Sequence, residues 1–178
     1  MTQTTTLAGG CFWCTEAIFQ RLNGVKQVIS GYSGGQLENP TYEQVSSGST
    51  NHAEAIQIEF DPTIISFDTI LDVFFATHDP TTLNQQGNDH GTQYRSAIFY
   101  HSDEQKETAE KKISQLTQDK HFDKPIVTEV TQFVNFFKAE DYHLNFYNRN
   151  KNYSYCNLVI DPKIQKLLKS YSSLVKEQ

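Results

Sequence analysis

The chain has 178 residues and a formal net charge of −6, a length that suits one domain with a buried core and a charge that argues against a surface tracking nucleic-acid phosphates. No apolar run reaches the roughly 20 residues that span a bilayer, and the amino end MTQTTTLAGG has neither the basic start nor the apolar stretch of a secretory signal, so a soluble cytoplasmic protein without a membrane or nucleic-acid partner is expected. Three cysteines, Cys11, Cys14 and Cys156, are too few and too oddly numbered for the disulfide framework of a secreted domain, which leaves reduced, reactive or metal-bound thiols.

In chain order, TTTLA predicts a short strand, after which Gly9 and Gly10 allow a tight turn into a helix running to about Leu22, with Asn23-Gly24 as its stop. VKQVISGYSGG predicts a β-branched strand, followed by a polar stretch to His52 without clear periodicity. AEAIQIEFDP alternates strictly, with Ile56, Ile58 and Phe60 on one face and Gln57 and Glu59 on the other. Ser66 predicts the start of a helix whose Phe67, Ile70, Leu71 and Phe74 have helical spacing, stopped by Asp79-Pro80. A second polar stretch, DPTTLNQQGNDHGTQ, leads into the strand YRSAIFYH. Ser102 with Gln105 reads as a capping box before an amphipathic helix to about Lys120, and Pro125 introduces the strand IVTEVTQF. From about residue 140 to 178 the tail is irregular apart from a short helix near IQKLLKSY. One α+β domain over residues 1–178 follows, with helices layered on a single sheet. Both polar stretches exceed the roughly 12–15 residues usual for idle loops and are read as functional.

Cys11 stands where a helix begins, beside amides lacking intrahelical partners and near the positive end of the helix dipole. Both effects favour the thiolate, which is the nucleophile; the plainer alternative is a small buried apolar residue. Cys14 lies on the same helical face, so the pair suits a CxxC disulfide, a metal site or coincidence. Phe12 and Trp13 are ordinary core types, but beside a reactive thiol they can wall a pocket for a methyl group. Glu54 shares parity with Ile56, Ile58 and Phe60. A straight strand therefore buries its carboxyl, raising the pKa and making it a proton donor; a strand-end glutamate in solvent or a bulge is the alternative. Tyr42 and Tyr94 flank the two polar stretches and can donate hydrogen bonds without charge, although packing is the common fate of a tyrosine. His52, His78 and His90 are scattered, so no metal site is expected.

The blocks GGCFWCTEAIF, NPTYEQV, NHAEAIQIEFDP, FFATHDPTTLNQQGNDHGTQYRSAIF and AEDYHLNFY occur in order across nearly the whole chain, which thereby resembles the A-class peptide methionine sulfoxide reductases. The resemblance implies a two-layer α/β sandwich with a ferredoxin-like core around a mixed sheet. It also implies reduction of the S epimer of methionine sulfoxide, free or in proteins, by a cytoplasmic monomer that needs no metal or cofactor and is reduced by thioredoxin. By the same resemblance Cys11 is the nucleophile, Glu54 the proton donor, and Tyr42 and Tyr94 hydrogen-bond the sulfoxide oxygen. Phe12 and Trp13 hold the methyl group, and Asp89 lies in the substrate site. Where the family commonly has glycine after CFW and before HAE, this chain has Cys14 and Asn51, and its tail carries one cysteine. The family's tail cysteine assigns the resolving role to Cys156, with Cys14 as an alternative resolving thiol, a relay or an inert neighbour. Two other classes compete: a CxxC disulfide oxidoreductase, which would not need Glu54, and a thiol-based redox or metal module, which lacks a fourth ligand at sensible spacing.

Overall fold

The computed structural model describes residues 1–177, leaving Gln178, the last residue of the predicted tail, outside. Along the chain run β1 (Gln3–Gly9), α1 (Phe12–Phe19), β2 (Val25–Ser33), α2 (Tyr42–Ser46), β3 (Ala53–Phe60), α3 (Phe67–Thr77), β4 (Gln85–Gln86), β5 (Asp89–His90), β6 (Ser96–Tyr100), α4 (Asp103–Gln118), β7 (Glu129–Gln132), β8 (Phe137–Lys138), α5 (Phe146–Arg149) and α6 (Asp161–Tyr171). β4 and β5 form a small hairpin, and the other six strands make one sheet in the order β7-β6-β1-β3-β2-β8. Among the described residues only β6 and β7 pair in parallel, because α4 carries the chain back across the sheet between them. The inner order β6-β1-β3-β2, with α1 and α3 as crossovers, is the expected ferredoxin-like core in a mixed sheet.

Strand parity decides which face is which. Leu7, Ile56, Ile58, Phe60 and Ile98 pack in one cluster with Phe12, Ile18 and Phe19 of α1 and Ile70, Leu71 and Phe74 of α3. Each such fully buried side chain contributes about 1.5–3 kcal/mol. The odd-numbered partners Ala53, Ala55 and Ala97, with Ala8, lie on the opposite face under Phe133 and Phe136. Small residues there let that short segment close the face without a second helical layer.

Several elements depart from their sequence pattern for local reasons. α1 ends at Phe19 rather than near Leu22. Its last turn tightens through Arg21 N to Ile18 O and Leu22 N to Phe19 O, after which Asn23 N donates to Leu174 O and Lys176 N to Arg21 O. The tail thus takes the backbone groups that a longer helix would have used. The first polar stretch contains α2, whose start is closed by a reciprocal box between Thr41 and Gln44. Ser102 does accept from Gln105 N, but the Gln105 side chain accepts from His101 N at 3.0 Å and donates to Thr4 O at 2.9 Å. It ties α4 to β1 instead of completing the box. β7 is shorter than IVTEVTQF, since Val127 N is spent on Pro80 O.

The turn into α1 needs glycine. Gly10 has φ +92°, and a Cβ there would lie 2.6 Å from Gln86 Cγ. Gly87 also has positive φ, +57°, but nothing lies within 4 Å of a Cβ built on it. Gly10→Ala is expected to cost about 2–3 kcal/mol in urea unfolding and Gly87→Ala about 1 kcal/mol. Equal losses would show that the Gln86 contact carries no weight.

Candidate active site

The site begins where β1 hands over to α1. Cys11 precedes the first helical residue, and its carbonyl accepts from Cys14 N at 3.1 Å and Thr15 N at 3.4 Å. The Phe12 amide, one of the helix-start donors without an intrahelical partner, donates instead to Glu54 Oε1 at 3.1 Å. Glu54 comes from the even-numbered face of β3 and is fully buried, as its parity with Ile56 requires. Burial raises its pKa to about 8, Asp89 and Cys14 add to the rise, and the Phe12 amide opposes it. At neutral pH the carboxyl therefore holds a proton.

The three cysteines are free thiols in one cluster with Ala17, Ile160 and Ile164. Cys11 keeps 8% of its surface exposed, whereas Cys14 and Cys156 are completely covered. Burial lifts the Cys11 thiol well above its usual range, helped by its hydrogen bond to Cys14 and by Glu54, and the Trp13 amide does not offset them. This corrects the expectation that the helix start ionises Cys11: desolvation outweighs the amides. The Cys11 thiol hydrogen bond lowers Cys14 to about 7 against burial, with the Lys163 ammonium assisting. Cys14 is thus the more acidic thiol of the pair. Cys156 is raised by burial, then by Asp161 and Cys14.

Cys11, Phe12, Trp13, Tyr42, Glu54, Asp89 and Tyr94 all line a single cavity of about 500 Å³. Cys14 and Cys156 stand behind Cys11 in the thiol cluster rather than on the cavity wall. Burial raises the Tyr42 and Tyr94 phenols, so both remain protonated donors. The tail supplies the remaining wall through Tyr153, Tyr155 and Leu158, the last of them 76% exposed at the rim.

Several of these contributions are invisible to a reading along the chain. Trp13 stacks on Phe146 with centroids 3.7 Å apart and planes 5° from parallel, and its Nε1 donates to His143 Nδ1 at 3.0 Å. Burial lowers the pKa of His143, keeping it neutral and able to accept that bond. Glu140 accepts from the Tyr32 hydroxyl at 2.9 Å and from Tyr42 N at 3.0 Å. The block AEDYHLNFY, which contains Glu140, His143 and Phe146, carried the family resemblance, but nothing in its local pattern pointed to these contacts. Of the histidines considered as ligands, His52 bonds Gly35 N and Leu37 O, His78 bonds Phe74 O and Ser96, and His90 is exposed on β5. Among the described residues no three His, Cys, Asp or Glu side chains are grouped to hold a metal. The arrangement suits attack by sulfur on a centre whose departing oxygen is protonated by a neutral acid and bonded by two phenols.

Residues 3–175 match the family model described as peptide methionine sulfoxide reductase. The chain is 54% identical over 169 residues to the peptide methionine sulfoxide reductase MsrA of Sulfolobus acidocaldarius, covering 95% of each. It superposes on reduced Mxr1 from Saccharomyces cerevisiae with a TM-score of 0.79 at 33% identity, covering 85% of this chain and 87% of that one. Against the same yeast protein in complex with Trx2 the TM-score is 0.57 at 25% identity, with 82% and 84% covered.

Between the ordinary value of 4.5 and about 8 the native state retains a Glu54 proton that the unfolded chain has released. That contribution to stability is complete below the lower value and is lost as pH rises through the upper one. Wild-type protein should therefore lose a few kcal/mol relative to Glu54→Gln between about pH 5 and about pH 9, read by urea unfolding across the range. Parallel profiles would remove the buried proton from the site.

Proposed function

The chain belongs to the peptide methionine sulfoxide reductase family, and we propose that it reduces the S epimer of methionine sulfoxide, in proteins and as the free amino acid, with thioredoxin as its reductant. The observation that carries this reading is a protonated Glu54 lining the same cavity as the Cys11 sulfur. Sulfoxide sulfur is a poor electrophile until its oxygen is bonded and protonated, which is the work of Glu54, Tyr42 and Tyr94. Phe12 and Trp13 offer an apolar wall to the methyl group, and Asp89 faces the substrate from the β5 side.

Cys11 sulfur attacks as its proton passes to the Cys14 thiolate. The sulfoxide oxygen takes the Glu54 proton and ends as the hydroxyl of a Cys11 sulfenic acid, and the substrate leaves as the thioether. Cys14, now a thiol, attacks the Cys11 sulfur and expels water, closing a Cys11–Cys14 disulfide. Closing a ring across the first turn of α1 strains the helix, and a strained disulfide exchanges readily. Cys156, packed in the same cluster, attacks the Cys14 sulfur, releasing the Cys11 thiol. The resulting Cys14–Cys156 disulfide is reduced by an outside dithiol. Cys14 is thus the relay and Cys156 the final resolving thiol. The yeast structural relative solved with Trx2 supports thioredoxin in that role. Three free thiols suit the reducing cytoplasm, where we place the protein as a monomer of one domain.

The test is turnover of each sulfoxide epimer with thioredoxin. Consumption of the S epimer alone is expected, with none by Cys11→Ser and at least about 100-fold slower reduction by Glu54→Gln. Cys156→Ser should release one thioether per enzyme and then stall with a Cys11–Cys14 disulfide, whereas Cys14→Ser should leave a sulfenic acid that dimedone traps. Undiminished turnover by Cys11→Ser would end this reading, and full thioredoxin turnover by Cys14→Ser would remove the relay.

A further inference from the structure

Tyr155 is the tail residue immediately before Cys156, and its side chain lines the cavity while packing against the thiol cluster. Its hydroxyl donates to Asp89 Oδ2 at 2.7 Å and its oxygen lies 3.8 Å from Cys14 Sγ. The ring meets Trp13 edge-on, centroids 5.8 Å apart at 81°. Asp89 belongs to the hairpin that Gln86 pins to the body, accepting from Asp79 N at 3.0 Å and donating to Asp79 O at 3.0 Å. One phenol therefore ties the tail to the body at a point that also touches the Cys14 sulfur. We propose that Tyr155 is a positioning residue for the resolving step, holding Cys14 Sγ at the angle from which it closes on the Cys11 sulfenic acid.

The hydroxyl has a single hydrogen, and Asp89 has it. Toward Cys14 the phenol oxygen can act only as acceptor, so it takes the S–H of Cys14 once Cys14 is a thiol. An S–H aimed at Tyr155 leaves a sulfur lone pair facing away from the phenol, toward the neighbouring Cys11. As that sulfur attacks, its proton passes to the phenol oxygen, the phenol proton passes to Asp89, and Asp89, on the cavity wall with Cys11, protonates the departing hydroxyl, which leaves as water. Disulfide closure tolerates little error in distance or dihedral angle, and misplacement by about 1 Å costs as much as about 100-fold in rate. The same residue anchors the segment that bears Cys156. At Cys156 the backbone enters a five-residue π-helical turn, Cys156–Ile160, a local irregularity of the kind found at functional sites. The segment that bears Cys156 is thus held at Tyr155 while Cys14 reacts.

This inference rests on the relay reading above, so the experiment forms the sulfenic acid without a sulfoxide. Hydrogen peroxide entering through the cavity meets Cys11 and not the covered Cys14, and one equivalent converts the Cys11 thiol to sulfenic acid and water. Its decay is followed by dimedone trapping and mass spectrometry, and by the fluorescence of Trp13, the only tryptophan of the chain. The comparison is wild type against Tyr155→Phe, each also carrying Cys156→Ser so that only the Cys11–Cys14 step is read. Removing the hydroxyl is expected to lengthen the sulfenic acid lifetime about tenfold. A lifetime within about twofold of the parent, whatever the change in melting temperature, overturns the proposal. Should Tyr155→Phe fail to fold, Asp89→Asn, which keeps an acceptor but weakens the tether, carries the same test with the same direction. If sulfoxide reduction fails while peroxide shows the lengthened lifetime, the substrate reading falls and the role of Tyr155 stands.

Discussion

The hydrogen bond from the Phe12 amide to Glu54 Oε1 joins the first turn of α1 to the buried face of β3, and the chemistry of the site follows from that junction. A carboxylate there would be desolvated with one amide to compensate, which is insufficient, so the group keeps its proton instead. β3 is paired on both edges, with β1 and β2. A slip of one residue would turn Ile56, Ile58 and Phe60 out of the core. The hydrophobic core thereby holds an acid in place that electrostatics alone would expel. The same junction sets Cys11 at the end of the strand-to-helix turn, a few side chains from the acid.

The thiols obey the same economy of charge. Three sulfurs in one apolar cluster cannot all ionise, and Cys14 is the most acidic of them, since the Cys11 thiol donates to it and Lys163 lies near. Protonated Cys11 and protonated Glu54 leave the attacking sulfur and the acid that meets the sulfoxide oxygen uncharged at rest. Charge moves through the site only as the reaction proceeds. The nucleophile is therefore inert until a proton has somewhere to go.

The tail completes the site with aromatic contacts in place of regular structure. Trp13 is clamped between Phe146 and the edges of Tyr153 and Tyr155. Burial pushes Glu140 up, but bonds from the Tyr42 amide and the Tyr32 hydroxyl hold it below the usual carboxylate range. Glu140 therefore stays charged and fixes α2 against β2. Such contacts need only a few aromatic residues at irregular spacing, which is why the stretch before α6 shows no periodicity yet walls the cavity.

Alternation in AEAIQIEF places Glu54 among buried isoleucines, helical spacing after Ser66 builds α3, and two glycines before Cys11 open α1. These features depend on neighbours within a few residues, and so they can be read along the chain. α2 and the β4–β5 hairpin are too short for a period to emerge, and the end of α1 is set by backbone bonds to Leu174 and Arg21. The ionisation of Cys11 and Cys14 is decided by burial, a sum over atoms from α1, β3 and the tail that no local pattern contains. His143 reaches Trp13 across 130 positions and Tyr155 reaches Asp89 across 66. The residue types and parity of the site belong to the sequence, whereas the protonation of its thiols and the residues that hold them belong to the tertiary structure, because desolvation and long-range hydrogen bonds exist only once distant segments meet.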